Sequence, residues 1–376
     1  MSILITGATG FLGSRLAREL LARPGDQPLI ILGRGGEKDL RTRTEAAITW
    51  LDAPPLPPGA LDRLRFFSTD LSQPGMALTA AQRVQLADGL TQIWHSAAAL
   101  SLEGDPVPLH RTNVMGTRHV LELADAAPGA HVVHVSTIAV AGRRTTGHIL
   151  EDDLRDDGFL TSYEETKYTA ETIVHTWART GARPATIMRP SLLVSHRPAP
   201  HGLPGQPLDT LVRLTDDTAR SWTMRGRSLA DILANGWEDG TRLHVRIPVD
   251  PQGAWNMLQV DYAAHAMVRA AEIPHDTPLV QTLHITHPKN TATTTLFRAL
   301  ELRHPGVALD LVPELPAPTS LEQLVMQRAS FLGYAAQRRT YDRSQLMTRI
   351  GELPDPKPVD EHYLAQALGT STTTAT

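Results

Sequence analysis

The sequence predicts an α/β protein: a doubly wound parallel sheet followed by a smaller, mostly helical C-terminal lobe. Three observations predict it. Short apolar runs alternate with helix-length segments through the first half, the pattern of a parallel sheet with crossover helices. The first run ends in Thr6-Gly7-Ala8-Thr9-Gly10-Phe11-Leu12-Gly13, a glycine turn between a strand and a helix. The alternation stops near Ser195, where Pro198–Pro207 reads as an irregular loop.

Taken in order, Ser2–Thr6 is a short apolar strand. Phe11–Ala22 is a helix with Leu12, Leu16 and Leu20 on one face and Pro24 beyond its end. Pro28–Leu32 is a second strand, Arg41–Leu51 is helical, and Pro54–Pro58 is a turn-rich loop. Strands follow at Leu64–Phe67, Gln92–Trp94, His131–Val135 and Ala185–Met188, and helices at Asn113–Ala124 and Tyr163–Arg179. In the second half Leu208–Ala219 reads as an amphipathic helix and Trp222–Trp237 as a further helical stretch. Strand-like pieces recur at Leu243–Val249 and Leu283–Thr286, and Ser320-Leu321-Glu322-Gln323 fits a capping box opening a helix. Residues 1–194 are assigned to the first domain, the one built on the glycine turn, with 244–288 returning to it. Residues 195–243 and 289–370 form the substrate lobe, and 371–376 a disordered tail.

Composition narrows the function classes. With 376 residues, 41% hydrophobic and 20% charged, the chain suits a globular protein with a sizeable core. A net charge of −4 gives no reason to expect nucleic acid or an anionic membrane as partner. The absence of cysteine excludes disulfides, thiolate metal sites and thiol nucleophiles. No run of about 18 apolar residues exists to span a membrane. The strand at Ile3 leaves no room for a signal peptide, so the expected address is the cytoplasm. The 16 histidines show no metal-ligand spacing.

The glycine turn has a physical reading. A pyrophosphate can lie against backbone only where side chains are missing, and the following helix start then offers N–H groups to the anion. Gly7, Gly10 and Gly13, with Thr9, Phe11 and Leu12 between them, are therefore expected to hold a dinucleotide on a Rossmann-type fold. The second strand ends Leu32-Gly33-Arg34, with no acid before Glu37. NAD binders place a carboxylate there for the ribose 2′-hydroxyl, whereas a guanidinium suits a 2′-phosphate. NADPH is therefore predicted over NADH, with Arg34 on the phosphate and Arg43 assisting. Asp70 and Leu71, after the third strand, are placed to meet the adenine, although an acid capping its own loop reads equally well. Ala97, in Trp94-His95-Ser96-Ala97-Ala98, falls at the end of the fourth strand, and Pro190 and Ser191 at the end of the sixth. All three are expected cofactor contacts.

Hydride transfer to a carbonyl leaves negative charge on oxygen, so a proton donor must stand there. Tyr163 and Lys167 lie four apart and share a helix face. The ammonium is expected to lower the phenol's pKa and to bond the nicotinamide ribose. Thr137, in Ser136-Thr137 at the end of the fifth strand, is expected on the substrate oxygen. Asn113 is a proton-relay candidate, a helix N-cap being the alternative.

These segments, with Asn113-Val114-Met115-Gly116 and Val135-Ser136-Thr137, resemble the extended short-chain dehydrogenase/reductase superfamily. The chain is further similar to its thioester reductase and fatty acyl-CoA reductase branch. That narrower likeness rests on Arg189-Pro190-Ser191, Ile247-Pro248-Val249-Asp250, Val260-Asp261-Tyr262, Leu283-His284-Ile285-Thr286-His287-Pro288, Tyr341-Asp342 and Pro358-Val359-Asp360-Glu361. Trp94-His95-Ser96-Ala97-Ala98 departs from the branch's usual His-Asn-Ala-Ala form. The resemblance implies reduction by NADPH of an acyl thioester, carried by coenzyme A or by a phosphopantetheinylated carrier protein, to an aldehyde or alcohol. It places Thr137, Tyr163 and Lys167 in the catalytic roles above. With no carrier segment in the sequence, the carrier is expected in trans. Oligomeric state stays open between monomer and dimer. The competing readings are a sugar-nucleotide epimerase or dehydratase, a hydroxy or keto dehydrogenase, and a non-catalytic NADP-sensing regulator.

In the second half, Leu208, Leu211, Val212 and Thr215 are expected to cover the nicotinamide. Arg213, Arg220, Arg225 and Arg227 read first as a solvated charged face, a docking face for a phosphate or an acidic carrier being the alternative. Trp222, Trp237, Trp255 and Met257 suggest an apolar acyl pocket, and core packing explains them equally well.

Overall fold

Seven short strands form the central sheet: β1 (Ser2–Thr6), β2 (Leu29–Gly33), β3 (Leu64–Ser68), β4 (Leu90–His95), β5 (His131–Val135), β6 (Ala185–Pro190) and β7 (Val280–Ile285). They belong to a computed structural model that describes residues 1–369 except 52, 102–104, 273–278 and 329. The spatial order is β7-β6-β5-β4-β1-β2-β3, and every neighbouring pair is parallel. Every residue of β1 and β6 is buried, because a parallel sheet is covered on both faces. The helices Phe11–Ala22 and Val260–Glu272 cover one face, and Gly116–Asp125 and Ser162–Gly181 the other. Strand order reverses between β1 and β4. A crevice therefore opens at the carboxyl ends of these two strands, the usual ligand position in such folds.

A second core gathers the helices Leu208–Ser221, Leu229–Asn235, Thr293–Arg303 and Glu361–Ala367 around Ile232, Val245, Leu296 and Leu364. Leu243–Pro248 belongs here and not to the central sheet, where residues 244–288 were expected to return. It pairs in parallel with Val307–Val312. The reason lies in its side chains. Leu243, Val245 and Ile247 are buried and the residues between them are not, the alternation of a strand with one wet face. Within the same stretch, Val260–Glu272 and Val280–Ile285 do pack on or join the sheet.

Other local expectations shift for identifiable reasons. The helix expected from Asn113 begins seven residues earlier, at Pro106, where Asp105 accepts a hydrogen bond from the Val107 N–H at 2.9 Å. It passes through a wide turn at His110–Met115, in which the Gly116 N–H reaches back five residues to the Arg111 carbonyl. Asn113 therefore lies inside a helix and is no N-cap. The Trp222–Trp237 stretch opens as a hairpin, Thr223–Met224 against Arg227–Ser228. Arg225 and Gly226 at its tip have φ of 48° and 79°, the geometry of a tight hairpin turn. Only Leu229–Asn235 is helical, capped by Ser228. The capping box near Ser320 sits one residue earlier. Thr319 and Glu322 exchange the bonds, because Glu322 is also held by Arg246. The expected disordered tail lies outside the described residues. No helix among the described residues is long and apolar enough to cross a membrane.

Candidate active site

The glycine turn sits at the crevice. Gly7 has a φ of 79°, and a Cβ there would lie 2.7 Å from the Ala97 nitrogen in the loop after β4. A Cβ on Gly13 would lie 2.0 Å from the Gly7 carbonyl oxygen, so no side chain fits where the helix crosses the turn. Gly10 precedes the helix, which has no side-chain cap and no acid in its first turn. The helix start thus keeps unsatisfied N–H groups and a positive dipole end. Thr9, Gly10, Phe11 and Leu12 are only half-buried beside this cradle. Ala97 is half-buried as well, and its N–H donates to Thr6 Oγ1 at 3.1 Å. At the carboxyl end of β6 Pro190 is buried, and the Ser191 hydroxyl is buried without a partner among the described residues. A backbone turn with no room for side chains, at the start of a helix without a cap of its own, fits the pyrophosphate of a dinucleotide.

At the end of β2 the Arg34 side chain is exposed. Arg43 is committed elsewhere: it donates to Asp39 Oδ2 at 2.8 Å and to the Arg34 carbonyl. Asp70 closes its own turn, accepting from the Ser72 N–H at 2.9 Å and the Ser72 hydroxyl at 2.7 Å. Those bonds hold its carboxyl below the usual range, with a smaller contribution from the charge of Arg34. Leu71 is buried against Gly116, and its carbonyl bonds the His119 ring at 2.9 Å.

Tyr163 and Lys167 stand on the first two turns of Ser162–Gly181, a helix capped by Thr161. The Lys167 ammonium donates to the Val135 carbonyl at 2.6 Å, tying the helix to the end of β5. Burial presses its pKa down to about 8, against an opposing pull from Glu171. The Tyr163 phenol is pushed up to about 12, by burial first and then by Glu164. The phenol thus lies above its ordinary value and not below it, because burial dominates in this arrangement. Thr137 is half-buried at the exit of β5, where its hydroxyl oxygen accepts from the Ala139 N–H at 3.2 Å. That bond leaves the hydroxyl proton available to another acceptor.

Asn113 is buried and clamps the loop after β4. Its Oδ1 accepts from the Ala99 N–H at 2.7 Å, and its Nδ2 donates to the Ala99 carbonyl at 3.0 Å and to Thr166 Oγ1 at 3.1 Å. Both amide protons are thereby committed within the protein. His95 continues the brace, with Nδ1 2.9 Å from Thr6 Oγ1 and Nε2 3.1 Å from Thr117 Oγ1. Thr117 donates to the Asn113 carbonyl at 2.6 Å, so it must accept from His95 Nε2–H, and Thr6 must donate to Nδ1. The ring is neutral because burial, aided by the charge of Lys167, lowers its pKa to about 3.

Sequence reasoning missed the charge pair beneath these groups. Glu171, fully buried, accepts from the Ser136 hydroxyl at 2.6 Å and from Arg189 Nε at 3.0 Å. The available signal was periodicity: Tyr163, Lys167 and Glu171 recur every four residues on one helix face. Leu211 and Thr215 line a cavity within the lobe itself, and none of Trp222, Trp237, Trp255 and Met257 lines it. The four arginines are dispersed: Arg220 pairs with Asp217, Arg213 bonds Thr210, Arg225 lies over Trp237 and Arg227 bonds the Gly236 carbonyl.

Comparison with known proteins fits this geometry. The chain is 27% identical over 307 residues to a linear gramicidin synthase component of Brevibacillus parabrevis, a match covering 79% of this chain and 5% of that protein. It thus spans about a twentieth of that relative. Its fold matches the terminal R domain from the myxalamid PKS-NRPS biosynthetic pathway, with a TM-score of 0.73, 22% identity, and coverage of 98% of this chain and 90% of the other. It also matches a thiolation-reductase di-domain from an archaeal non-ribosomal peptide synthetase, with a TM-score of 0.64, 18% identity, and coverage of 98% and 89%. The profile of the male sterility protein family matches residues 5–267, from the first strand to the helix that packs against it. With the glycine cradle, the crevice and the Tyr163–Lys167 helix all inside the matched span, the chain belongs to the male sterility protein family of extended short-chain dehydrogenases/reductases, NAD(P)-dependent oxidoreductases.

Proposed function

We propose that this protein is an NADPH-dependent reductase of acyl thioesters presented by coenzyme A or by a phosphopantetheinylated carrier protein. One observation carries the reading. Tyr163 and Lys167 stand on the first two turns of one helix, and the Lys167 ammonium bonds the Val135 carbonyl, two residues before Thr137 with its free hydroxyl proton. The reductase domains among its relatives support the thioester as substrate.

The turn Gly7–Gly13 would hold the pyrophosphate and Arg34 the 2′-phosphate. When bound, the cofactor supplies the hydride. Thr137 donates a hydrogen bond to the thioester oxygen and orients the carbonyl, keeping its own proton. Tyr163, protonated at neutral pH, gives its proton to the oxygen that has become negative. The resulting hemithioacetal breaks its C–S bond and releases thiol and aldehyde. Lys167 holds the ribose and keeps positive charge near the reacting oxygen. Asn113 positions the loop at Ala99 against the catalytic helix.

The test is thiol release. The protein is mixed with NADPH and acyl-coenzyme A or acyl-pantetheine thioesters, and free thiol is titrated with a chromogenic disulfide. The chain has no cysteine, so it adds no background. NADPH-dependent release is expected, with Tyr163→Phe reducing it at least a hundredfold. NADPH binding without thiol release on any thioester rejects the reading.

A further inference from the structure

A cavity of about 120 Å³ lies in the C-terminal lobe. Leu211 and Leu214 form one wall, Val245 and Val307 the parallel strand pair behind it, and Leu300 and Leu332 its sides. Native cores seldom keep voids larger than a water molecule, and an apolar recess of this size offers room for hydrocarbon. The chemistry of the lining points the same way. Thr215 spends its hydroxyl on the Leu211 and Val212 carbonyls. His304 also lines the cavity; its Nε2 is buried without a partner among the described residues. Burial and the charge of Arg303 keep that ring neutral.

One short turn joins this cavity to the catalytic helix. Leu332 lines the cavity, and two residues on, the Tyr334 hydroxyl lies 3.5 Å from Oγ1 of Thr161, the cap of the helix that carries Tyr163. Two residues span at most about 7 Å of chain. Glu164, next to Tyr163, reaches the same phenol and helps raise its pKa.

We propose that the cavity receives the hydrocarbon end of the acyl group, so that the substrates are aliphatic thioesters and not aminoacyl or peptidyl ones. The proposal rests on the thioester reading. A 150 Å³ apolar cavity accepts benzene, so 120 Å³ accommodates roughly four to five carbons beyond those held near the carbonyl.

The experiment measures kcat/KM for acetyl-, butyryl-, hexanoyl- and octanoyl-pantetheine with NADPH, in the wild type and in Leu214→Trp, which fills the half-exposed edge of the cavity. Wild-type values are expected to climb about fourfold per added methylene and then level off. The hexanoyl-to-acetyl ratio is expected to fall at least tenfold in the variant. Should that variant not fold, Thr215→Leu serves the same purpose. A flat wild-type series, or an unchanged ratio in a folded variant, overturns the proposal while leaving the thioester reading standing. If the wild type reduces no thioester, that reading fails, and thermal stabilisation by hexan-1-ol decides the cavity. A rise in Tm for the wild type but not for Leu214→Trp supports the site, and no rise overturns it.

Discussion

Replacing Arg189 by methionine isolates the buried charge pair beneath the active site. Glu171 has no solvent exposure and Arg189 about 1%. The guanidinium donates to the Glu171 oxygens at 3.0 and 3.1 Å and to the Asp153 carbonyl at 3.0 Å. Methionine fills similar space but leaves a buried carboxylate with only the Ser136 hydroxyl and His175, whose Nε2 lies 3.7 Å away. Breaking such a pair from one side costs about 3–5 kcal/mol. Arg189 holds the Glu171 carboxyl well below the ordinary carboxylate range against the opposing effect of burial. In the native protein this group therefore contributes stability that is present above the unfolded pKa and lost as pH falls toward the folded one. Without the cation, burial raises the carboxyl above its unfolded value, and the sign reverses: the variant's deficit shrinks as pH falls from 7 to 5. Guanidinium denaturation of wild type, Arg189→Met, Glu171→Gln and the double variant, at both pH values, measures all of this. The double variant should recover more than half of the loss, since it buries no charge. A loss below about 1 kcal/mol at pH 7, or a double variant as unstable as the sum of the singles, refutes the reasoning.

Gly13→Ala places a methyl 2.0 Å from the Gly7 carbonyl and must displace the turn; NADPH affinity, followed by cofactor fluorescence, should weaken at least tenfold, and binding within twofold of wild type contradicts the cradle. Arg34→Ala should raise the Michaelis constant for NADPH much more than for NADH, and an equal effect on both removes Arg34 from the phosphate site. Lys167 loses its proton near pH 8 because it is buried, so kcat/KM should decline as pH rises through about 8, and a profile flat to pH 10 contradicts an essential ammonium.

The parts legible in the sequence are those whose cause is local. Ser2–Thr6, Phe11–Ala22 and His131–Val135 agree with the structure to the residue, because apolar runs there are bounded by glycine, proline or a polar step. The glycine turn and the Tyr163–Lys167 pair come from spacings of three and four on adjoining elements. What escaped depends on distant partners. The strand Leu243–Pro248 is paired by Val307–Val312, more than fifty residues on, and no periodicity announces which sheet a strand will join. The hairpin at Arg225 requires an arginine at positive φ, which composition argues against. Asn113 reads as a helix start because its neighbourhood lacks an apolar period, while its clamp on Ala99 exists only once β4 and the helix meet. Glu171 and Arg189 are each ordinary residues until the sheet brings them together.

Glu151 gives the chain a timetable. Its buried carboxylate precedes the catalytic helix and accepts N–H groups from His284, Gln345 and Leu346 at 2.9, 2.7 and 3.2 Å. All three donors arrive more than 130 residues later in synthesis. A ribosome that has released the glycine turn, Thr137, Tyr163 and Lys167 has therefore made every reacting group but not the fastening that holds the approach to their helix. Until residues 284–346 have left the ribosome, the segment leading into that helix lacks its fastening, so this long-range part of the fold must form late.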